Sequence, residues 1–155
     1  MKRDIALQPL SHQHHNTLMG CLLIRKGIEN KADKKVLKDF TLNWWQKDLQ
    51  KHMEAEEKIL LPYLSQHQFN KSYIKVIYHD HETLRVLGER LKINDDDYEL
   101  YIIYTDLVEQ HIRFEERIVF QKIQEDFSRE QLSQLEQKMP LETRKCSDYP
   151  VKFWE

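Results

Sequence analysis

Glycine and proline are scarce, three and four in 155 residues, and so little turn-forming material argues for long helices with short connections. Two cysteines, Cys21 and Cys146, are too few for a disulfide framework, which makes a reducing cytoplasm the default location. The longest uninterrupted apolar runs are only a few residues, far below the length of a membrane span. The opening Met-Lys-Arg-Asp-Ile-Ala-Leu has no apolar stretch of the kind a secretory signal carries. An excess of either charge is missing as well: 26 acidic residues face 24 basic ones. With no basic block beyond short lysine pairs, nucleic acid is excluded as an expected partner. What remains is a single domain over 1–155, long enough to bury a real core.

Two stretches are built alike. Lys51-His52-Met53-Glu54-Ala55-Glu56-Glu57-Lys58-Ile59 and Gln110-His111-Ile112-Arg113-Phe114-Glu115-Glu116-Arg117-Ile118 lie 59 residues apart, each a His followed four residues later by a Glu pair, a cation and Ile. Four residues are about 400° of helix and about 6 Å of rise, so His and Glu leave one face one turn apart, as a two-donor metal clip. Chance alone would place a Glu four after a His about 0.8 times in this composition, so the shared context carries the signal. Apolar residues one and two turns back, Trp45 and Leu49 before His52 and Tyr104, Leu107 and Val108 before His111, turn both clips toward a core.

The rest of the pattern reads as a bundle over about 9–126, a short helix over about 128–138 and a tail over 139–155. The first helix is expected from an N-cap at Ser11 to about Ile28, with Leu18, Cys21, Leu22, Arg25 and Ile28 on one side. A second starts near Asp33 and runs until Pro62 kinks or stops it near Tyr63. A third follows Asn70 or Ser72 and carries Ile74, Ile77, His81, Leu84, Leu87 and Leu91. Asn94 to Asp97 reads as a turn and cap before a fourth helix to Glu125, whose inner face is expected to include Leu100, Tyr104, Leu107, His111, Glu115, Ile118 and Phe120. Ser128 and Gln131 have capping-box spacing, and Pro140 ends the fifth helix. The tail, with Tyr149, Phe153 and Trp154, is too aromatic to be left in solvent and is expected to dock on the bundle, on a partner or on a second copy in a homodimer. Together the elements predict an all-α, antiparallel up-down-up-down four-helix bundle.

Histidines on the other two helices complete the donors. His81 lies a turn from Ile77 and from Leu84 and faces inward, whereas His79 points to solvent. On the first helix the apolar stripe through Leu18 favours His14, while the likeness of His15-Asn16-Thr17-Leu18 to His81-Glu82-Thr83-Leu84 favours His15. The metal-ligand candidates are therefore His14, His15, His52, Glu56, His81, His111 and Glu115. His12 and His67 go to solvent or end-capping roles. Glu57 and Glu116 are read as exposed groups or hydrogen-bond partners of a ligand imidazole, and Cys21 as a small core residue. No catalytic residue is assigned.

The run Pro9 to Leu18, the His-Met-Glu-Ala-Glu-Glu clip, the Asp80-His81-Glu82-Thr83-Leu84-Arg85 segment and the His-Ile-Arg-Phe-Glu-Glu-Arg clip, in that order, resemble hemerythrin-like His-His-Glu cation-binding domains over roughly residues 9 to 138. The resemblance implies a non-haem di-iron centre with His52 and His111 as terminal ligands, Glu56 and Glu115 as bridging carboxylates, and His81 with a first-helix His completing it. Oxygen-carrying hemerythrins supply five His, two of them four apart on the third helix. Here Ile77 stands four before His81, which argues against simple reversible oxygen carriage. Glu57, the other first-helix His or water would serve as the fifth donor.

An imidazole and carboxylate set without thiolate suits octahedral iron, with manganese or zinc as substitutes, better than structural zinc. Four His, two bridging Glu and an oxo or hydroxo bridge fill about ten of roughly twelve positions on two Fe2+/Fe3+ ions, leaving about two open. Facing Trp45, Leu49, Leu84, Tyr104 and Leu107, they would be dry and fit for dioxygen, nitric oxide or peroxide. The leading expectation is a cytoplasmic protein that binds or senses such a ligand or handles iron. The alternative is a metal-stabilised interaction module acting through the aromatic tail. No motif marks a substrate pocket or proton relay, so an oxidase or peroxidase ranks below both.

Overall fold

The computed structural model describes residues 2–93, 98–139 and 148–155. They form four long helices and a short fifth, with no strand among the described residues. Helix α1 is Gln8–Glu29. Helix α2, residues 34–66, joins the α-helical pieces Lys34–Trp44, Gln50–Ala55 and Leu61–Gln66 through two π turns, Trp45–Leu49 and Glu56–Leu60. Helix α3 is Lys71–Ile93. Helix α4, residues 98–126, joins Tyr98–Phe114 and Phe120–Asp126 through the π turn Glu115–Val119, and α5 is Arg129–Lys138.

The caps explain most starts. Asp33 accepts the Val36 N–H at 3.1 Å, Asn70 accepts that of Ser72 at 2.9 Å, and Ser128 and Gln131 form both halves of a capping box. Ser11 is not a cap. Helix α1 begins three residues earlier, with Pro9 in its first turn, where a missing N–H costs nothing. The Ser11 hydroxyl instead donates to Glu116 Oε2 at 2.9 Å. Pro62 does not stop α2 either, because the preceding π turn already breaks the regular ladder: Leu61 N–H bonds Glu56 O, five residues back. The segment 94–97 and Pro140 lie outside the described residues.

The apolar core divides into two clusters. One holds Leu7, Leu10, Leu60, Leu64, Ile77, Val119, Phe120 and Ile123; the other holds Cys21, Ile24, Trp44, Trp45, Leu49, Leu84, Tyr104 and Val108. Helices α1 and α3 run from the first cluster to the second, and α2 and α4 run back. Consecutive helices are therefore antiparallel, each packed on two neighbours with α4 closing the ring against α1. The residues that lie between the two clusters on each helix are the titratable ones, His14, His52 with Glu56, His81, and His111 with Glu115.

All three glycines lie under aromatic rings. A Cβ on Gly20 would stand 2.3 Å from Trp44 Nε1, one on Gly88 2.4 Å from the Trp45 ring, and one on Gly27 2.8 Å from Phe153. Because Gly20 and Gly27 turn inward, the buried stripe of α1 runs through Leu10, His14, Thr17, Cys21 and Ile24, and Leu22, expected inside, is 43% exposed. The π turn in α4 has the same kind of consequence. One extra residue moves the inward position from Ile118, 44% exposed, to the fully buried Val119. In α2, Ile59 is likewise only half-buried while Leu60 is inside. The tail docks on the bundle: Tyr149 and Phe153 pack on Phe40 with ring centroids 5.0 and 4.8 Å away, and Asn30 Nδ2 donates to Trp154 O at 2.7 Å.

Candidate metal centre

Each clip places its His and Glu one turn apart at the start of a π turn, which opens at Glu56 in α2 and at Glu115 in α4. His52 Nε2 lies 3.2 Å from Glu56 Oε1, and His111 Nε2 lies 2.7 Å from Glu115 Oε1. The other two helices close the site crosswise. His81 Nε2 is 3.3 Å from Glu56 Oε1, and His14 Nε2 is 3.4 Å from Glu115 Oε1. All six side chains are buried. His15 is exposed and outside the group. The likeness to His81-Glu82-Thr83-Leu84 is out by one residue, since the helix sets His14, not its neighbour, opposite His81.

The donors form two overlapping sets, His14, His52, Glu56 and Glu115 in one and Glu56, His81, His111 and Glu115 in the other, with the donor atoms of each set within 4.8 Å of one another. Glu56 and Glu115 belong to both, so each carboxylate stands between two cation positions. The Nε2 atoms of all four histidines and all four carboxylate oxygens are buried without a hydrogen-bond partner. Such groups cost several kcal/mol each when left uncompensated.

Three of the four opposite ring nitrogens have a hydrogen-bonding acceptor, and that of His14 has an ion-pair contact alone. His52 Nδ1 faces Gln13 Oε1 at 2.7 Å, His81 Nδ1 faces Glu57 Oε2 at 3.2 Å, His111 Nδ1 faces Asp80 Oδ2 at 2.9 Å, and His14 Nδ1 faces Glu116 Oε1 at 3.4 Å. An acceptor oxygen at Nδ1 of His52, His81 and His111 favours the Nδ1–H tautomer and turns each Nε2 lone pair toward the cluster, the arrangement of a metal-ligating imidazole. The acceptors are themselves held. Arg85 pairs with both oxygens of Glu57, and Glu116 takes Ser11 and Arg3, the latter at 3.2 Å. Glu57 thus takes the hydrogen-bonding role that the sequence allowed it, while Glu116 stands only within ion-pair range of His14. Gln13 and Asp80 were missed there, although each stands immediately before an inward histidine.

Burial opposes charge on these groups, and their neighbours overrule it. For His14 the carboxylates of Glu115 and Glu116 outweigh burial and raise the pKa to about 9. For His111, Glu115 and Asp80 do the same, to about 10. Burial pushes Glu56 upward, but His52 and His81 hold it well below the usual carboxylate range. Without a cation, then, these carboxylates favour the protonated forms of His14 and His111.

The surroundings are apolar. Phe120 stacks on His14 at 5.4 Å, and Trp45, Leu49, Leu84 and Tyr104 are buried in the neighbouring cluster. The Tyr104 hydroxyl donates to Leu84 O at 3.0 Å, and Cys21, its thiol pushed up to about 12 by burial, sits among core residues. Leu107 instead lines a surface cleft of about 260 Å³ between α3 and α4, with Val76, Asp80, Thr83, His111 and Phe114 among its other walls.

One family model covers both His-x-x-x-Glu clips and both closing histidines. The hemerythrin HHE cation binding domain matches residues 6–123. The chain belongs to this family. No curated protein and no solved structure matches it. The family is described as cation binding, and the buried cluster, with its bare Nε2 and carboxylate atoms, could hold such a cation. Ile77, fully buried in the core, occupies the position where oxygen-carrying members were expected to place a further histidine. No helix among the described residues is long and apolar enough to cross a membrane.

Proposed function

We propose that this hemerythrin HHE domain holds two iron ions, one at His14 and His52 and one at His81 and His111, with Glu56 and Glu115 shared, and that it binds a small ligand such as dioxygen, nitric oxide or peroxide. The observation that carries the proposal is the pair of overlapping donor sets with two carboxylates in common. A mixed nitrogen and oxygen set without thiolate favours octahedral iron, with manganese or zinc as substitutes. Bound iron would supply redox chemistry and open coordination positions.

The chain's own residues do the rest. Gln13, Glu57 and Asp80 orient three of the imidazoles, Glu116 stands within ion-pair range of the fourth, and Trp45, Leu49, Leu84 and Phe120 keep water from the cluster. The lining offers no convergent polar group for a larger substrate, which favours a diatomic or peroxide. The interaction-module reading has less support, because the rings of Tyr149 and Phe153 are used against Phe40 of the same chain.

Protein purified from iron-replete cells should contain about two irons per chain. Its near-ultraviolet and visible absorption should change on adding azide or nitric oxide, and a Glu56→Ala, Glu115→Ala variant should lose both iron and colour. A wild-type chain that is folded, colourless and free of metal would overturn the proposal.

A further inference from the structure

The cluster has an approximate twofold repeat that relates α1 and α2 to α3 and α4. His52 and His111 open the two clips. The Glu after each shared carboxylate faces the histidine across the bundle, Glu57 hydrogen-bonded to His81 and Glu116 within ion-pair range of His14. Each of these carboxylates is tied to an arginine, Arg85 in one case and Arg3 in the other. The residue just before each closing histidine serves the opposite clip, Gln13 for His52 and Asp80 for His111.

The repeat breaks at this last pair. A neutral amide oxygen backs His52, and a carboxylate backs His111. An imidazole whose Nδ1–H is held by a carboxylate is a stronger donor at Nε2 than one held by an amide, and such partners are worth about tenfold to a hundredfold in metal affinity. The other two Nδ1 neighbours lean the same way: Glu57 hydrogen-bonds His81 at 3.2 Å, whereas Glu116 is only within ion-pair range of His14, whose Nδ1 has no hydrogen-bond partner. Access favours the same half. The cleft between α3 and α4 reaches His111 and Asp80, and the Asp80 side chain is about a third exposed while His111 is buried, so an approaching cation meets a carboxylate first.

We infer that the two metal positions are inequivalent and fill in order, the His81/His111 position first and more tightly and the His14/His52 position second and more labile, with Asp80 as the positioning residue that sets the order. The inference rests on the proposed two-metal reading. Repulsion between neighbouring cations separates two binding steps whichever fills first, so the order is what must be tested.

The experiment is a titration of the full-length, metal-free chain with Co(II), followed by calorimetry and by visible absorption of the bound ion. Wild type should show a tight step and a weak one. His52→Ala should keep the tight step, and His111→Ala should remove it. Asp80→Asn should weaken the tight step by about tenfold to a hundredfold, and Gln13→Glu should strengthen the weak step by a similar factor. A purely structural role for residue 13 would give no such gain, and Gln13→Glu decides the matter if Asp80→Asn does not fold. An unchanged tight step in Asp80→Asn, or Gln13→Glu tightening the first step instead of the second, overturns the inference alone. A chain that takes up no cation overturns this inference together with the function it rests on.

Discussion

A histidine that gives one ring nitrogen to a cation needs an acceptor for the other, and Glu57 is such an acceptor for His81 while Arg85 fixes it in place. Glu57→Ala should lower metal affinity by about tenfold to a hundredfold with little change in helix content, as read by chelator competition and circular dichroism. Among the first-helix histidines, His14→Ala should lose metal and His15→Ala should keep it, in the same assay. Protonation gives a second handle. In the metal-free chain His14 and His111 titrate at about 9 and about 10, against about 6.5 when unfolded. Their ion pairs therefore stabilise the fold fully below about pH 6.5, and that contribution is lost as the pH rises through 9 to 10. The melting temperature of metal-free protein should fall across this window, while metal-loaded protein, whose imidazoles hold cations instead of protons, should show no such fall. The clip residues were legible in the sequence because fixed helical spacing puts His52 beside Glu56 and His111 beside Glu115. The acceptors Gln13 and Asp80 were not, because they act across the bundle on helices far apart in sequence.

Within the elements, the two clips share a backbone device as well as a motif. Each carries a π turn that begins at its shared glutamate, and each turn moves the next inward position by one residue, to Leu60 in α2 and to Val119 in α4. Side-chain hydropathy cannot reveal this, since Ile59 and Ile118 are as apolar as the residues that replace them inside. The register makes a plain prediction. Leu60→Ala should cost about 2–5 kcal/mol, whereas Ile118→Ala should stay within about 0.5 kcal/mol, by denaturant unfolding. The inward glycines of α1 escaped for a related reason: Gly20 has no hydropathy to signal, yet Trp44 needs the space. Gly20→Ala should destabilise the fold by about 1–3 kcal/mol through overpacking against that ring.

Across the whole molecule, two apolar clusters hold the helices together and a polar belt between them is incomplete without compensating charge. The number of helices, their antiparallel order and the aromatic tail could be read from the sequence because period, caps and the scarcity of turn residues all agree. Metal removal should therefore lower the melting temperature without abolishing helicity, since both clusters survive it. The most direct test of the central claim is a crystal structure of iron-loaded protein with anomalous data at the iron edge. Two peaks are predicted, one beside His14 and His52 and one beside His81 and His111, with Glu56 and Glu115 between them. A single peak, or iron bound anywhere other than these six side chains, would contradict the account.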